Sequence, residues 1–190
     1  MNGIYALKPA FRNALRPLLK LLWPVHPDVL TWSAIGLSGL LGLALHWGQS
    51  WLLAVPLLAL LRTVLNALDG LLAVETGKAR PAGEVINELG DRVSDLLVLS
   101  GLWRWVDPWL WASVTVTVLL VSYIGILGKA LGKGRQYSGP LGKADRLLLI
   151  SIGALLSLYW PQTVVFHWLL LSFLPLGVFT GAFRLWSVLR

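Results

Sequence analysis

Long apolar runs separated by short polar connections account for most of the chain. Six are legible, at about 28–46, 51–74, 84–104, 107–130, 143–160 and 162–187. About 20 apolar residues in helical form cover the roughly 30 Å hydrocarbon core of a bilayer, so each run predicts a membrane-spanning helix. Ahead of them, Lys8, Arg12, Arg16 and Lys20 recur at every fourth position, with Leu7, Phe11, Leu15, Leu18, Leu19 and Leu22 filling much of the rest. Residues 1–24 therefore predict an amphipathic helix lying in the membrane interface, interrupted by Pro9 and Pro17. A basic leader that merely fixes orientation is the plainer alternative. The fold class that follows is an all-α polytopic membrane protein, with six transmembrane helices plus the N-terminal amphipathic interfacial helix, in one membrane domain over residues 1–190. No internal repeat, linker or low-complexity segment breaks it.

Composition agrees: 56% of residues are hydrophobic and the mean hydropathy is +0.71, which argues against a soluble domain. The net charge of +7 raises nucleic acid as a partner. The basic residues, however, sit between the apolar runs, where they fix orientation and meet anionic headgroups, so membrane lipids and not nucleic acid are expected. Lysine and arginine occupy the N-terminus, the 75–83 turn, the 129–146 loop and the C-terminal end, whereas the connections near 47–51, 104–107 and 160–163 hold only Arg104. This asymmetry predicts both termini in the cytoplasm. Trp47, Trp51, Trp103, Trp105, Trp109, Trp111 and Trp160 form an aromatic belt at the other face. Cysteine is absent, which rules out disulfides and thiolate metal sites. The N-terminus lacks the short apolar run and small-residue cleavage site of a signal peptide.

Acidic and amide groups interrupt this plan between Asn66 and Asp95. Asn66, Asp69 and Ala73 fall at i, i+3 and i+7 on one helix face; Asn87, Asp91 and Asp95 fall at i, i+4 and i+8 on a face of the next. The short turn between them makes the helices antiparallel neighbours whose polar faces can meet. A carboxylate at membrane depth costs roughly 2.5 kcal/mol or more, so such groups line cavities or bind something positive. An all-oxygen set suits magnesium, manganese or calcium, not zinc. Arg62, four residues before Asn66 on the same face, either touches a phosphate or pairs with an acid; pairing is the expectation for a buried charge. Lys78 and Arg80 are expected as solvated loop charges. Lys143 and Arg146, three apart at a helix start, together with Arg135 in the preceding loop, make a phosphate pocket or else a headgroup-gripping cluster. His46 and His167 are isolated and receive no role.

The Asn66–Asp91 stretch resembles the signature of the CDP-alcohol phosphotransferase family, D-x2-D-G-x2-A-R-x8-G-x3-D-x3-D. The same spacing here meets Asn66, Asp69, Gly70, Ala73, Val74, Gly83, Asn87 and Asp91. Asp69, Gly70, Ala73, Gly83 and Asp91 agree with it; Asn66 and Asn87 replace aspartates, and Val74 replaces the arginine. The wording NALDG…NE-x-GD-x2-SD also resembles a bacterial inner-membrane branch of the family that carries both asparagines. Pro27 and Thr31 match part of the Pro-Asn-x-x-Thr that members often place at the first span, with Asp28 in place of the asparagine. GKADR, at 142–146, resembles their Gly-Lys-x-Lys/Arg element.

The resemblance implies a six-helix transferase of the bacterial inner membrane, usually a homodimer, holding two divalent ions, magnesium or manganese. Such enzymes take a CDP-linked lipid donor, move a substituted phosphate onto a polar alcohol and release CMP in phospholipid biosynthesis. By that analogy Asn66, Asp69, Asn87 and Asp91 hold metal, and Asp91 also serves as the base. Gly70, Ala73, Gly83 and Thr31 bind the donor, although the general preference of threonine for helix starts offers Thr31 the plainer role. Lys143, Arg146 and Arg135 bind the acceptor's phosphate. Two asparagines remove two negative charges from the metal site, and Glu88 or Asp95 is positioned to restore them. Two other readings remain open from the residues: a non-catalytic CDP or lipid binder with a degenerate site, and a small transporter. The second would favour polar groups spread across the membrane, not confined to one half.

Overall fold

Prolines mark where most of the helices begin. The computed structural model describes residues 8–190 and contains α1 (Lys8–Leu22), α2 (Pro27–Trp47), α3 (Val55–Glu75), α4 (Pro81–Ser100), α5 (Pro108–Ala130), α6 (Lys143–Leu156) and α7 (Gln162–Leu189), with no strand among the described residues. Pro27, Pro56, Pro81 and Pro108 sit in the first turn of α2 to α5, and Pro161 immediately precedes α7. The first turn has no intrahelical use for the missing N–H, and the fixed φ is already helical. Asp107 caps α5, its carboxylate accepting from Trp109 N–H at 2.9 Å and Leu110 N–H at 3.2 Å.

Among the described residues, four segments are long and apolar enough to cross a membrane: Pro27–Trp47, Gln49–Glu75, Pro108–Ala130 and Gln162–Leu189. The third and fifth expected spans fall short by that measure. α4 carries Glu84, Glu88, Asp91, Arg92 and Asp95, and it ends at Ser100, where Gly101 and a 3₁₀ turn at Trp103–Trp105 take over. α6 has 14 residues and ends at Leu156, short of 160. The second run begins as a 3₁₀ helix, Gln49–Ala54, and becomes α-helical only at Val55.

The chain forms two compact units that divide between Gly101 and Leu102. In the first, α1 is continuous across both prolines, contrary to the expected interruption. Pro9 lies in the first turn, where it is harmless, and Pro17 remains inside the helix. Packing offsets the lost bond: Leu15 and Leu19, with Phe11 and Leu22 beside them, form a cluster with Leu68, Leu71 and Leu72 of α3 and Leu30 of α2. The residues before Lys8, including Leu7, lie outside the described part.

Within this unit α2 packs closely along both α3 and α4. The approach to α4 is set by glycines, since a Cβ on Gly42 would strike the Leu97 carbonyl and one on Gly101 would strike the Gly42 carbonyl. Gly90 likewise lets Ile35 and Thr31 of α2 lie against α4. In the second unit α7 packs on α5 and α6 around Phe166, Leu170 and Phe173, all fully buried. The loop after α5 is bolted to α7: Leu141 N–H donates to Thr180 Oγ1 at 3.0 Å. Arg184 donates to the carbonyls of Ser138 at 2.8 Å and Val121 at 2.9 Å.

The glycine contact makes a direct stability test. Gly42→Ala should destabilise the detergent-solubilised protein by about 1–3 kcal/mol through overpacking, seen as a lower thermal midpoint. Gly39→Ala, whose added methyl would meet open space, should hold or raise the midpoint.

Candidate active site

α3 and α4 run antiparallel and are joined by rungs of polar side chains at successive turns. Arg62 Nη2 lies 3.4 Å from Asp95 Oδ1. One turn along, Asn66 Nδ2 donates to Asp91 Oδ1 at 3.3 Å. One turn further, Asn87 Nδ2 donates to Asp69 Oδ2 at 2.8 Å. The 3.6-residue period places these groups on one face of each helix, and the antiparallel run pairs early positions of one with late positions of the other. The structure therefore brings together Asn66, Asp69, Asn87 and Asp91.

α2 contributes a fifth group. Thr31 Oγ1 donates to Asp69 Oδ2 at 2.9 Å. This corrects the expectation of a helix-start role: the N-cap of α2 is His26, whose Nδ1 accepts from Asp28 N–H at 3.3 Å. Thr31 sits a turn inside the helix and is buried. Asp69 Oδ1 accepts from Gly70 N–H at 2.6 Å. Asp69 is 3% exposed and Asp91 6%, so both carboxylates are held away from solvent and need partners. Arg92 Nη2 stands 3.8 Å from Asp91 Oδ2.

The set fits a hard divalent cation: carboxylate and amide oxygens on facing helices, with no sulfur or imidazole. Each asparagine directs its Nδ2 at a carboxylate, and rotation of the amide presents its oxygen instead. Among the described residues no three histidine, cysteine, aspartate or glutamate side chains gather into a group able to hold an ion. Any ligand set around Asp69 and Asp91 thus depends on Asn66 and Asn87. Glu88 is half-buried on the neighbouring face of α4, and Asp95 is engaged by Arg62.

Gly70 is exposed and a Cβ there would meet nothing within 4 Å, so the backbone beside Asp69 is open to an approaching group. Ala73 is half-buried. Val74, at the position of the family arginine, is 68% exposed. Gly83 packs near Arg80, which pairs with Asp28. Lys78 Nζ donates to the carbonyls of Trp23 at 3.4 Å and Val25 at 3.5 Å. Arg80 is the exposed loop charge expected and Lys78 is half-buried; both also tie the α3–α4 turn to the start of α2.

The basic candidates belong to the C-terminal unit. Arg146 is 5% exposed and donates through Nη1 to the Leu141 carbonyl at 3.2 Å. Lys143 opens α6 and is half-buried. The N-terminus of that helix already has an acceptor, since Asp145 Oδ2 takes the Gly142 N–H at 2.9 Å. Arg135 lies over the Tyr137 ring at 5.2 Å. Spacing located the α3–α4 rungs, but Thr31's bond to Asp69 spans 38 residues and no local pattern signals it.

No family model matches the chain. It is 34% identical over 178 residues to the inner membrane protein YnbA of Escherichia coli, spanning 89% of this chain and 87% of that protein. It is 30% identical over 169 residues to the phosphatidylinositol phosphate synthase of Mycolicibacterium smegmatis, spanning 83% and 75%. The fold is similar to that of the Mycobacterium tuberculosis phosphatidylinositol phosphate synthase, at 26% identity. The crystal structure with CDP-DAG bound superposes with a TM-score of 0.69 over 94% of this chain and 92% of that one. The one in complex with manganese and citrate gives 0.70 over 95% and 89%.

Thr31→Val keeps the side-chain volume but removes the donor to a buried carboxylate. It should cost about 1–3 kcal/mol, read as a lower thermal midpoint in the absence of added metal; an unchanged midpoint would contradict the bond.

Proposed function

The chain belongs to the CDP-alcohol phosphotransferase family and is an enzyme of that class, and we propose that it moves a phosphatidyl group from CDP-diacylglycerol to a polar alcohol, releasing CMP. The observation that carries this reading is the convergence of Asp69, Asp91, Asn66 and Asn87 between α3 and α4. The relatives solved with CDP-DAG and with manganese support the donor and a divalent ion.

In this reading Asp69, Asp91, Asn66 and Asn87 hold the metal, magnesium or manganese. Bound there, it would screen the donor diphosphate and stabilise the leaving CMP. Asp69 and Asp91 bring two negative charges, which match one dication; the donor's own diphosphate balances a second. Asp91 takes the proton of the acceptor hydroxyl as its oxygen bonds to phosphorus and the bond to CMP breaks. Gly70, Ala73, Gly83 and Thr31 line the donor side, and the open space at Gly70 suits close approach by a ligand. Lys143, Arg146 and Arg135 receive a phosphate on the acceptor.

The same reading makes the six helices α2 to α7 cross the bacterial inner membrane, with both termini in the cytoplasm and the protein a homodimer. α4 can do so because its two aspartates turn inward: Asp91 and Asp95 are buried while Leu89, Val93 and Leu96 are exposed. α6 similarly buries Arg146 and exposes Leu148, Ile152 and Leu155. Buried, partnered charges greatly reduce the penalty of insertion. α1, with Leu18 and Leu21 exposed beside its packed face and Trp23 exposed just after it, lies in the interface.

The test supplies labelled CDP-diacylglycerol and pooled polar metabolites to the purified protein and identifies the lipid product by mass. Manganese- or magnesium-dependent CMP release with a new phospholipid is expected. Asp69→Ala and Asp91→Ala should each lower that rate by about 10²–10⁴. Activity retained in both variants would reject the residue assignment, and no CMP release with any acceptor would reject the reaction.

A further inference from the structure

Arg62 and Asp95 lie one helical turn beyond the four candidate ligands, Arg62 four residues before Asn66 and Asp95 four after Asp91. Their side chains are only 1% and 6% exposed, and Nη2 and Oδ1 are 3.4 Å apart. Alone, either charge would be costly among apolar helices; together they sum to zero.

The pairing also selects an alignment. With Arg62 against Asp95, Asn66 meets Asp91 and Asp69 meets Asn87. Sliding one helix by a turn in one direction would set Asp95 against Leu58 and Asp69 near Glu84. Sliding in the other would set Arg62 against Leu99. Both alternatives bury a charge without its counter-ion. α2 supports the same alignment, since it packs along both helices and Thr31 bonds Asp69, but it supplies no counter-ion for Arg62 or Asp95.

We infer that the Arg62–Asp95 pair is a neutral strut that sets the register of α3 against α4, so that Asp95 is a positioning residue for the metal centre and not one of its ligands. The inference rests on the reading of Asn66, Asp69, Asn87 and Asp91 as that centre. It leaves Asp95's charge unavailable to make good the two asparagines.

The test is manganese binding to the full chain in detergent without substrate, read from the electron paramagnetic resonance of free Mn²⁺. Wild-type protein that binds no Mn²⁺ refutes the metal centre itself, whatever the variants do. Given wild-type binding, Asp95→Arg should weaken it by about tenfold or more, as two cations then oppose each other. The exchanged variant, Arg62→Asp with Asp95→Arg, restores opposite charges in the same register. It should bind at least about tenfold more tightly than Asp95→Arg alone. An exchanged protein that gains less overturns the strut, because a ligand moved off α4 could not be replaced this way. Where the exchanged protein does not fold, Arg62→Met decides by sign. A strut predicts weaker Mn²⁺ binding, whereas binding that is equal or tighter overturns the proposal, since Asp95 would then be free to ligate.

Discussion

Two carboxylates, Asp69 and Asp91, are buried on helices whose outer faces are apolar, and every other feature of the N-terminal unit is arranged around giving them partners. An ionised carboxylate stripped of water and left unmatched is among the costliest groups a membrane helix can carry. Here each is answered by a side chain from another helix: Asn87 and Thr31 for Asp69, Asn66 for Asp91. The asparagine and threonine groups carry no charge themselves, while the Arg92 guanidinium stands 3.8 Å from Asp91 Oδ2.

Packing serves that arrangement. α2 lies along both α3 and α4, with Gly42 and Gly101 removing the side chains that would otherwise hold α2 off α4. The backbone contact leaves α3 and α4 to meet mainly through their polar side chains. Gly90 then allows Thr31 to reach the Asp69 carboxylate from α2. Lys78 and Arg80 fasten the turn between α3 and α4 to the entry of α2, which limits how far the two helices can part at the site's end.

How much of this could be read from residues alone depends on the distance over which each contact acts. The faces carrying Asn66 and Asp69, and Asn87 and Asp91, follow from helical period, and the rule that buried charges find counter-ions gives Arg62 an acidic partner without saying that it is Asp95. Thr31 is legible as a residue near a helix start or, by the resemblance, a donor contact, but not as a partner of Asp69, because that bond depends on how α2 crosses α3. Pro17 predicts a break, but the cluster of Leu15 and Leu19 with Leu68, Leu71 and Leu72 keeps α1 helical across it; propensity yields to packing. The third and fifth runs read as spans, yet α4 is rich in charge and α6 is short. Hydropathy averages cannot register that Asp91 and Asp95 of α4 are buried. Loop anchors such as Arg184 to the Ser138 and Val121 carbonyls have no sequence pattern at all.

The account stands most directly on where a divalent ion binds. Crystals of the protein soaked in manganese, with diffraction measured near the manganese absorption edge, would locate the ion by its anomalous signal. The account predicts a peak between α3 and α4, about 2–2.5 Å from carboxylate oxygens of both Asp69 and Asp91. A peak elsewhere, or none at manganese concentrations that support CMP release, would contradict it.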